Sequence, residues 1–252
     1  MSEQPPLLQE IPGQQEIGGA SGARLFNFRA YGKGNFGDYP YNVLNEKIAS
    51  ELARIVGLPV PEVLLYRHRD EWLFLSRAIG TAASGESRPP GTSRDVANAV
   101  LNQPGLIEEM VCFDLFICNN DRNPGNLLVD AEKRFWLIDF GNALFYRPSG
   151  GGKIIPGIPR LQTIEADLEA LFDKPYGNFM DSCTAWDGMR RACDRIAGIP
   201  SYFIEATIAR LPADLLTDAE REYAIDFLNR RKDQMEQLIR REFKRFPRLM
   251  IP

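Results

Sequence analysis

The sequence holds little soft metal-ligating chemistry: one histidine, His68, and four cysteines, at 112, 118, 183 and 193. No two cysteines are spaced C-x-x-C, and a single histidine leaves no zinc-finger spacing to write. Cys112 and Cys118 fall in the apolar run 110–118. Free thiols there serve as small hydrophobes, so a reducing compartment is expected. Long apolar runs are missing as well; no window nears the roughly 18 residues of a membrane span. The opening MSEQPPLLQEIPGQQEIGG lacks the basic start and apolar centre of a signal peptide, and a cytoplasmic location is expected. Positive charge is not in excess: Lys and Arg number 30 against 34 Asp and Glu, for a net −4. A nucleic-acid partner held by bulk charge is therefore not expected. The turn 18–22 has neither G-x-G-x-x-G nor the Gly-Lys-Ser/Thr of a P-loop. The turn 18–22 could offer backbone N–H groups to a phosphate, but its composition equally suits a flexible entry loop.

What is present suits a globular protein: 252 residues, 44% apolar and 25% charged, enough for one domain of two lobes or two small domains. Residues 1–16, rich in Pro and Gln, read as a flexible segment. Residues 23–28 suit a strand, and Gly32, Gly34 and Gly37 mark a loop. The spacing predicts a helix over 41–56, with Leu44, Ile48, Leu52 and Ile55 on one stripe, stopped by Gly57, Pro59 and Pro61. Two strands follow, 62–66 and 71–76. The Gly/Ser/Pro-rich stretch 81–93 is the best boundary between lobes. Beyond it helices are predicted over 95–101 and 106–118, then a hairpin of 127–129 with 135–138. After a Gly/Pro-rich loop at 148–159, Thr217 to Glu220 form a capping box. The helix it starts is expected to run to Phe246, ahead of Pro247. This gives an α+β protein: a small sheet-plus-helix lobe over 17–80 and a mainly helical lobe over 81–252.

The informative segment is Asp121-Arg122-Asn123-Pro124-Gly125-Asn126, followed thirteen residues later by Asp139-Phe140-Gly141. Phosphoryl transfer needs a carboxylate beside the attacking hydroxyl and oxygen ligands for a Mg²⁺ that bridges the phosphates. Mg²⁺ takes few protein ligands, typically one or two carboxylates plus phosphate oxygens. Asp121 suits the first role; Asn126 and Asp139 suit the second. Gly141 would let the backbone turn away after the metal-binding Asp.

This segment resembles the catalytic core of the protein-kinase-like superfamily, and most of all HipA-like kinases. The phosphatidylinositol 3- and 4-kinases have a similar Asp-Arg-x-x-x-Asn loop and Asp-Phe-Gly. Phe28-Arg29-Ala30-Tyr31-Gly32-Lys33-Gly34, Asn45-Glu46 and Gly57-Leu58-Pro59-Val60-Pro61-Glu62 are similar to the first lobe of HipA-like kinases. The resemblance covers about residues 18–146. It implies a two-lobed protein-kinase-like fold, ATP and Mg²⁺ as cofactors, and transfer of the γ-phosphoryl group to a protein Ser/Thr. It makes Asp121 the catalytic base, with Arg122 bracing the loop, and Asn126 and Asp139 the metal ligands. Strand 72–77, with Phe74, Leu75 and Ser76, becomes the hinge that binds adenine through its backbone. The phosphate-binding lysine of the family falls at Asn27. Either Arg29 or Lys33 then reaches in from the next turn, or the protein is a weak catalyst that serves as a nucleotide-dependent binding module. The family pattern picks Glu46 as the helix glutamate, while helical geometry makes Glu51 a rival. A lipid headgroup is a poorer acceptor, because Arg147, Lys153 and Arg160 are spread thinly. Ser84, Ser87 and Ser93 stand as sites for self-phosphorylation.

Overall fold

Leu44, Ile48 and Leu52 recur every four residues and all are fully buried, so this stripe faces inward from helix α1, Asn42–Ile55. Ile55, only three residues past Leu52, is 40% exposed, and Val56 takes the buried place instead. Gly57, with φ of 82°, ends the helix in the left-handed conformation that glycine adopts without strain. The computed structural model describes residues 8–10, 26–37, 39–80, 103, 105–119, 121–130, 132–145 and 179–250. The turn at 18–22, the boundary at 81–93 with its three serines, the helix expected at 95–101 and the loop at 148–159 lie outside them.

Strands β1, Leu8–Glu10, and β2, Phe26–Phe28, form an antiparallel pair. Strands β3, Ala30–Lys33, β4, Val63–His68, and β5, Glu71–Arg77, form an antiparallel sheet in the order β3–β5–β4. The glycines at 32 and 34 predict a loop here, and residues 30–33 are strand instead. Gly32 lies opposite Leu75 in the ladder, and a Cβ at 32 would stand 3.1 Å from the Leu75 side chain. The glycine thus serves a close approach between strands rather than a turn.

Helix α2, Leu106–Phe116, buries all but one of its residues, as a helix at the centre of a domain must. Its buried Glu108 accepts hydrogen bonds from the backbone N–H groups of Thr184 and Ala185, at 3.1 and 3.3 Å. A hairpin of β6, Leu127–Val129, and β7, Phe135–Leu137, follows. Asp130 closes its turn, accepting from Arg134 N at 2.9 Å and Trp136 Nε1 at 2.9 Å. Helices α3, Trp186–Ala197, α4, Ser201–Ala209, and α5, Asp218–Arg241, complete the second lobe.

The capping box at Thr217 and Glu220 forms as its sequence predicts. The helix it opens stops at Arg241 and not at Phe246, giving way to a 3₁₀ turn at Phe243–Arg245. In a continued α-helix the Pro247 ring would collide with the Phe243 carbonyl, so the chain tightens a turn early. The fold is α+β, with a small sheet beside α1 and a mainly helical remainder. A single buried cluster runs from α1 through α2 and β7 to α3 and α5, so the two lobes share one core. Among the described residues no helix is long and apolar enough to cross a membrane.

Candidate active site

Arg122 organises the loop after α2 from inside. Its guanidinium donates to both Asp114 oxygens, at 2.9 and 3.1 Å, a two-pronged pair that a planar fork favours. The same group donates to the backbone oxygens of Asn126 and Ile138, at 2.9 and 2.7 Å, and lies 4.7 Å over the Phe140 ring. Arg122 and Asp114 are both buried. One side chain therefore joins α2, the 121–126 loop and the exit from β7. Asn119 adds to this frame, donating to Asp114 Oδ1 at 2.7 Å and accepting from Asp121 N at 3.3 Å.

Lys33, on the last residue of β3, donates to Glu46 Oε1 and to Asp139 Oδ1, the latter at 2.8 Å. Glu46 is 1% exposed on α1 and its other oxygen accepts from Phe140 N at 3.1 Å. A strand, a helix and the segment after β7 thus meet at three charges. Burial alone would lower the Lys33 pKa, but the two carboxylates outweigh it and hold the ammonium above its ordinary value. For Glu46 the balance runs the other way: burial raises its carboxyl, although Lys33 and the Phe140 N–H favour the charged form. Glu51 pairs instead with Lys47 one turn along α1, at 2.6 Å.

Asp139 holds φ at 63°, a left-handed conformation that costs a non-glycine residue about 1 kcal/mol or more. The sharp turn thus sits at Asp139 itself rather than at Gly141. Gly141 answers to crowding, since a Cβ there would stand 2.2 Å from Asn42 Oδ1.

The Lys33 cluster lines a cavity of about 380 Å³. Val63 and Phe74 contribute apolar wall from the sheet, and Leu128 and Leu137 from the hairpin. A slot with apolar walls and a charged end suits a flat ring carrying an anionic tail. Of the residues expected at the hinge, Phe74 and Ser76 line the cavity; Leu75 does not, consistent with alternation along a strand. Arg29 does not line it either, and its carbonyl accepts from Ala78 N at 2.9 Å. Asn27 lies on β2 opposite Gln9.

Asn126 and Asp139 present oxygens suited to a hard divalent cation. Asn126 Nδ2 is engaged with the Asp121 carbonyl at 2.7 Å, which leaves Oδ1 as the end of the amide for a cation. Asp139 gives one oxygen to Lys33, and its side chain is 41% exposed. The donor set fits Mg²⁺, which takes one or two protein oxygens and fills the rest with phosphate and water.

Two neighbours of the site, Asp114 and Asn142, escape the sequence motifs, and a third, Asn45, stands in one without an assigned role. Asp114 sits within a run dominated by apolar residues, and its buried charge is explained by Arg122, eight residues on, and by the Asn119 amide. Asn45 is 1% exposed; it donates to the Gly141 and Phe145 oxygens, at 2.8 and 3.2 Å, and accepts from Phe145 N at 3.1 Å. Asn142 donates to Asp121 Oδ2 at 2.8 Å. The available signal was adjacency: Asn45 precedes Glu46, and Asn142 follows Gly141.

No protein-family model matches the sequence. No curated protein matches it either. Solved structures do resemble it in fold. The Helicobacter pylori proinflammatory kinase CtkA superposes with a TM-score of 0.52 at 18% identity, covering 84% of this chain and 90% of that one. The N-terminal 618-residue fragment of Legionella pneumophila LepB gives 0.52 at 11% identity, over 83% of this chain and 44% of that one. Shewanella oneidensis HipA, crystallised with HipB and operator DNA, gives 0.46 at 13% identity, over 92% and 73%. At these identities the likeness is one of fold, and the fold is protein-kinase-like.

Proposed function

We propose that this protein is a Mg·ATP-dependent phosphotransferase that moves the γ-phosphoryl group to a hydroxyl, with a protein Ser or Thr as acceptor. The observation that carries this reading is Lys33 bridging Glu46 and Asp139 at the charged end of the cleft, with Asp121 and Asn126 on the adjoining loop. Lys33 is the phosphate-binding cation, and Glu46, not Glu51, holds it in place. No lysine is then needed at position 27. Adenine enters between the apolar walls, and the segment around Phe74 and Ser76 supplies the hinge. Asn126 and Asp139 would hold Mg²⁺, which would supply neutralisation of the charge on the transferred group.

Asp121 orients the acceptor hydroxyl and receives its proton. The hydroxyl oxygen bonds to the γ-phosphorus as the bond to the β–γ bridging oxygen breaks, and ADP leaves. A nucleic-acid substrate forms no part of this reading. Among the basic residues of α5, Arg230 pairs with Asp226 and Arg240 with Glu236, one turn back on the same helix, while Arg231 is buried and donates to the Leu115 carbonyl.

The test is incubation with γ-labelled ATP and Mg²⁺, followed by mass spectrometry of the chain and of a cell lysate. A thermal melt with and without Mg·ATP runs beside it, because a ligand that binds only the folded state raises the melting temperature. Label on serine or threonine is the expected result. No label and no thermal shift at millimolar Mg·ATP would remove the reading.

A further inference from the structure

We propose that Asn142 is a positioning residue for the reaction: its side-chain N–H fixes the orientation of the Asp121 carboxylate. The proposal rests on the phosphotransferase reading and goes beyond it, since no motif assigns Asn142 a role. Asn142 Nδ2 donates to Asp121 Oδ2 at 2.8 Å. The Asp121 carbonyl is held separately, accepting from Asn126 Nδ2 at 2.7 Å and Asn123 Nδ2 at 3.0 Å. Backbone and carboxylate of the base are thus fixed by different amides. A carboxylate rotates readily about its last torsion, and a donor on one oxygen removes that freedom. An amide does this without placing a charge beside the base.

Asn142 is itself held firmly. The segment 140–145 is anchored to α1 at three backbone positions. Glu46 accepts from Phe140 N, and Asn45 engages the Gly141 oxygen and both backbone groups of Phe145. A fourth anchor joins Leu144 N to the Ile117 carbonyl at the end of α2, at 2.8 Å. Leu144 is kept at φ of 45° within this frame, a conformation that persists only where surroundings dictate it. Asn142 therefore projects from a clamped strap, and its reach to Asp121 follows from where α1 and α2 hold that strap. It does not line the nucleotide cavity. Its loss should act on the chemical step and spare nucleotide binding.

The experiment uses the full chain with Asn142→Leu, Asn142→Asp and Asn142→Gln. Leu keeps the branched skeleton without a donor, Asp matches the shape without a donor but sets a second carboxylate against Asp121, and Gln keeps the amide. Each is measured for kcat and KM with γ-labelled Mg·ATP, and for the thermal shift that Mg·ATP produces. The shift also reports that each variant is folded. The expected result is a kcat about 10- to 100-fold lower for Leu and Asp, the scale of a small misplacement of a reacting group. The KM for ATP and the thermal shift stay near wild type, and Gln recovers part of the loss. A kcat within about twofold of wild type in folded Asn142→Leu or Asn142→Asp overturns the positioning role, as does a loss that falls on KM. A wild type that neither transfers label nor responds to Mg·ATP fails the phosphotransferase reading itself, and this proposal with it. An active wild type with unaffected variants fails the positioning role alone.

Discussion

Tyr41 Oη donates to Glu220 Oε1 at 2.7 Å across 179 residues of sequence. The contact sets the entry to α1 against the start of α5. Glu220 is also the capping-box carboxylate, accepting from Thr217 N and Thr217 Oγ1, each at 2.7 Å. The helix that carries Asn45 and Glu46 is thus braced from the C-terminal end of the chain. A second tie runs from Trp72 Nε1 on β5 to Asp214, at 3.0 and 3.1 Å.

Tyr41→Phe removes the donor and keeps the ring, which stacks on Phe145 at 5.0 Å. A hydrogen bond to a charged group contributes about 1.5–3 kcal/mol, so a loss near the lower figure is expected at neutral pH. Burial raises the Glu220 carboxyl, but the bonds from Tyr41 and Thr217 outweigh it and hold its pKa below the ordinary value of 4.5. A carboxylate with a depressed folded-state pKa adds stability above its unfolded pKa and loses it as pH falls through the folded one. The difference in melting temperature between wild type and Tyr41→Phe should therefore shrink as pH is taken from 7 to about 3. A difference that grows with acidity would refute the assignment.

Arg122 and Asp114 make a contrasting case, because their pair is buried at the foot of the 121–126 loop. Breaking a buried pair by removing one partner strands a charge and costs about 3–5 kcal/mol. Arg122→Ala should lose that much in urea unfolding, and Arg122→Lys should recover little because an ammonium lacks the fork. Asp121→Asn, one residue away, should abolish transfer while leaving the unfolding midpoint nearly unchanged. Equal stability losses in the two variants would contradict the separation of frame from base.

Much of this architecture was legible in the sequence, and the exceptions have physical causes. The period of Leu44, Ile48 and Leu52 announces α1, and the Thr217–Glu220 capping box announces α5, because both are local patterns that packing reinforces. The spacing of Asp121, Asn126 and Asp139 was legible because the β6–β7 hairpin between them is short enough to be read from one window. Lys33 was harder. Its flanking glycines suggest a loop, and only the β5 ladder, forty residues on, makes 30–33 a strand and directs the lysine inward. Asp114, Asn45 and Asn142 were illegible as site residues for the same reason: each is explained by a partner on another element.

Lys33→Met and Glu46→Gln should separate phosphate contact from its support. Lys33→Met is expected to cut turnover by about 10²-fold or more, as loss of one preorganised electrostatic stabiliser does. Glu46→Gln keeps one acceptor oxygen, enough for Lys33 or for Phe140 N but not for both, so its loss should be smaller but real. Steady-state kinetics with Mg·ATP give the comparison; a Glu46→Gln defect exceeding that of Lys33→Met would mean that Glu46 acts other than through the lysine.

Gly141→Ala tests the crowding between α1 and the strap. A Cβ at 141 would stand 2.2 Å from Asn42 Oδ1 and 3.8 Å from Asp139 Oδ1, so the conflict is with Asn42. Asn42 Nδ2 donates to the Gly34 carbonyl at 2.8 Å, just after Lys33, and the amide cannot swing away without releasing that bond. Gly141→Ala should therefore lower both stability and turnover. Asn42→Ala alone loses only the Gly34 bond, about 1 kcal/mol. If crowding is the cause, the double variant Asn42→Ala with Gly141→Ala should be better than the sum of the singles, because removing the amide makes room for the methyl group. Residues in contact commonly show interaction energies of about 0.5–3 kcal/mol in such cycles. Strict additivity in melting and kcat would instead mean that Gly141 is required for backbone freedom, and that the α1 contact does not constrain it.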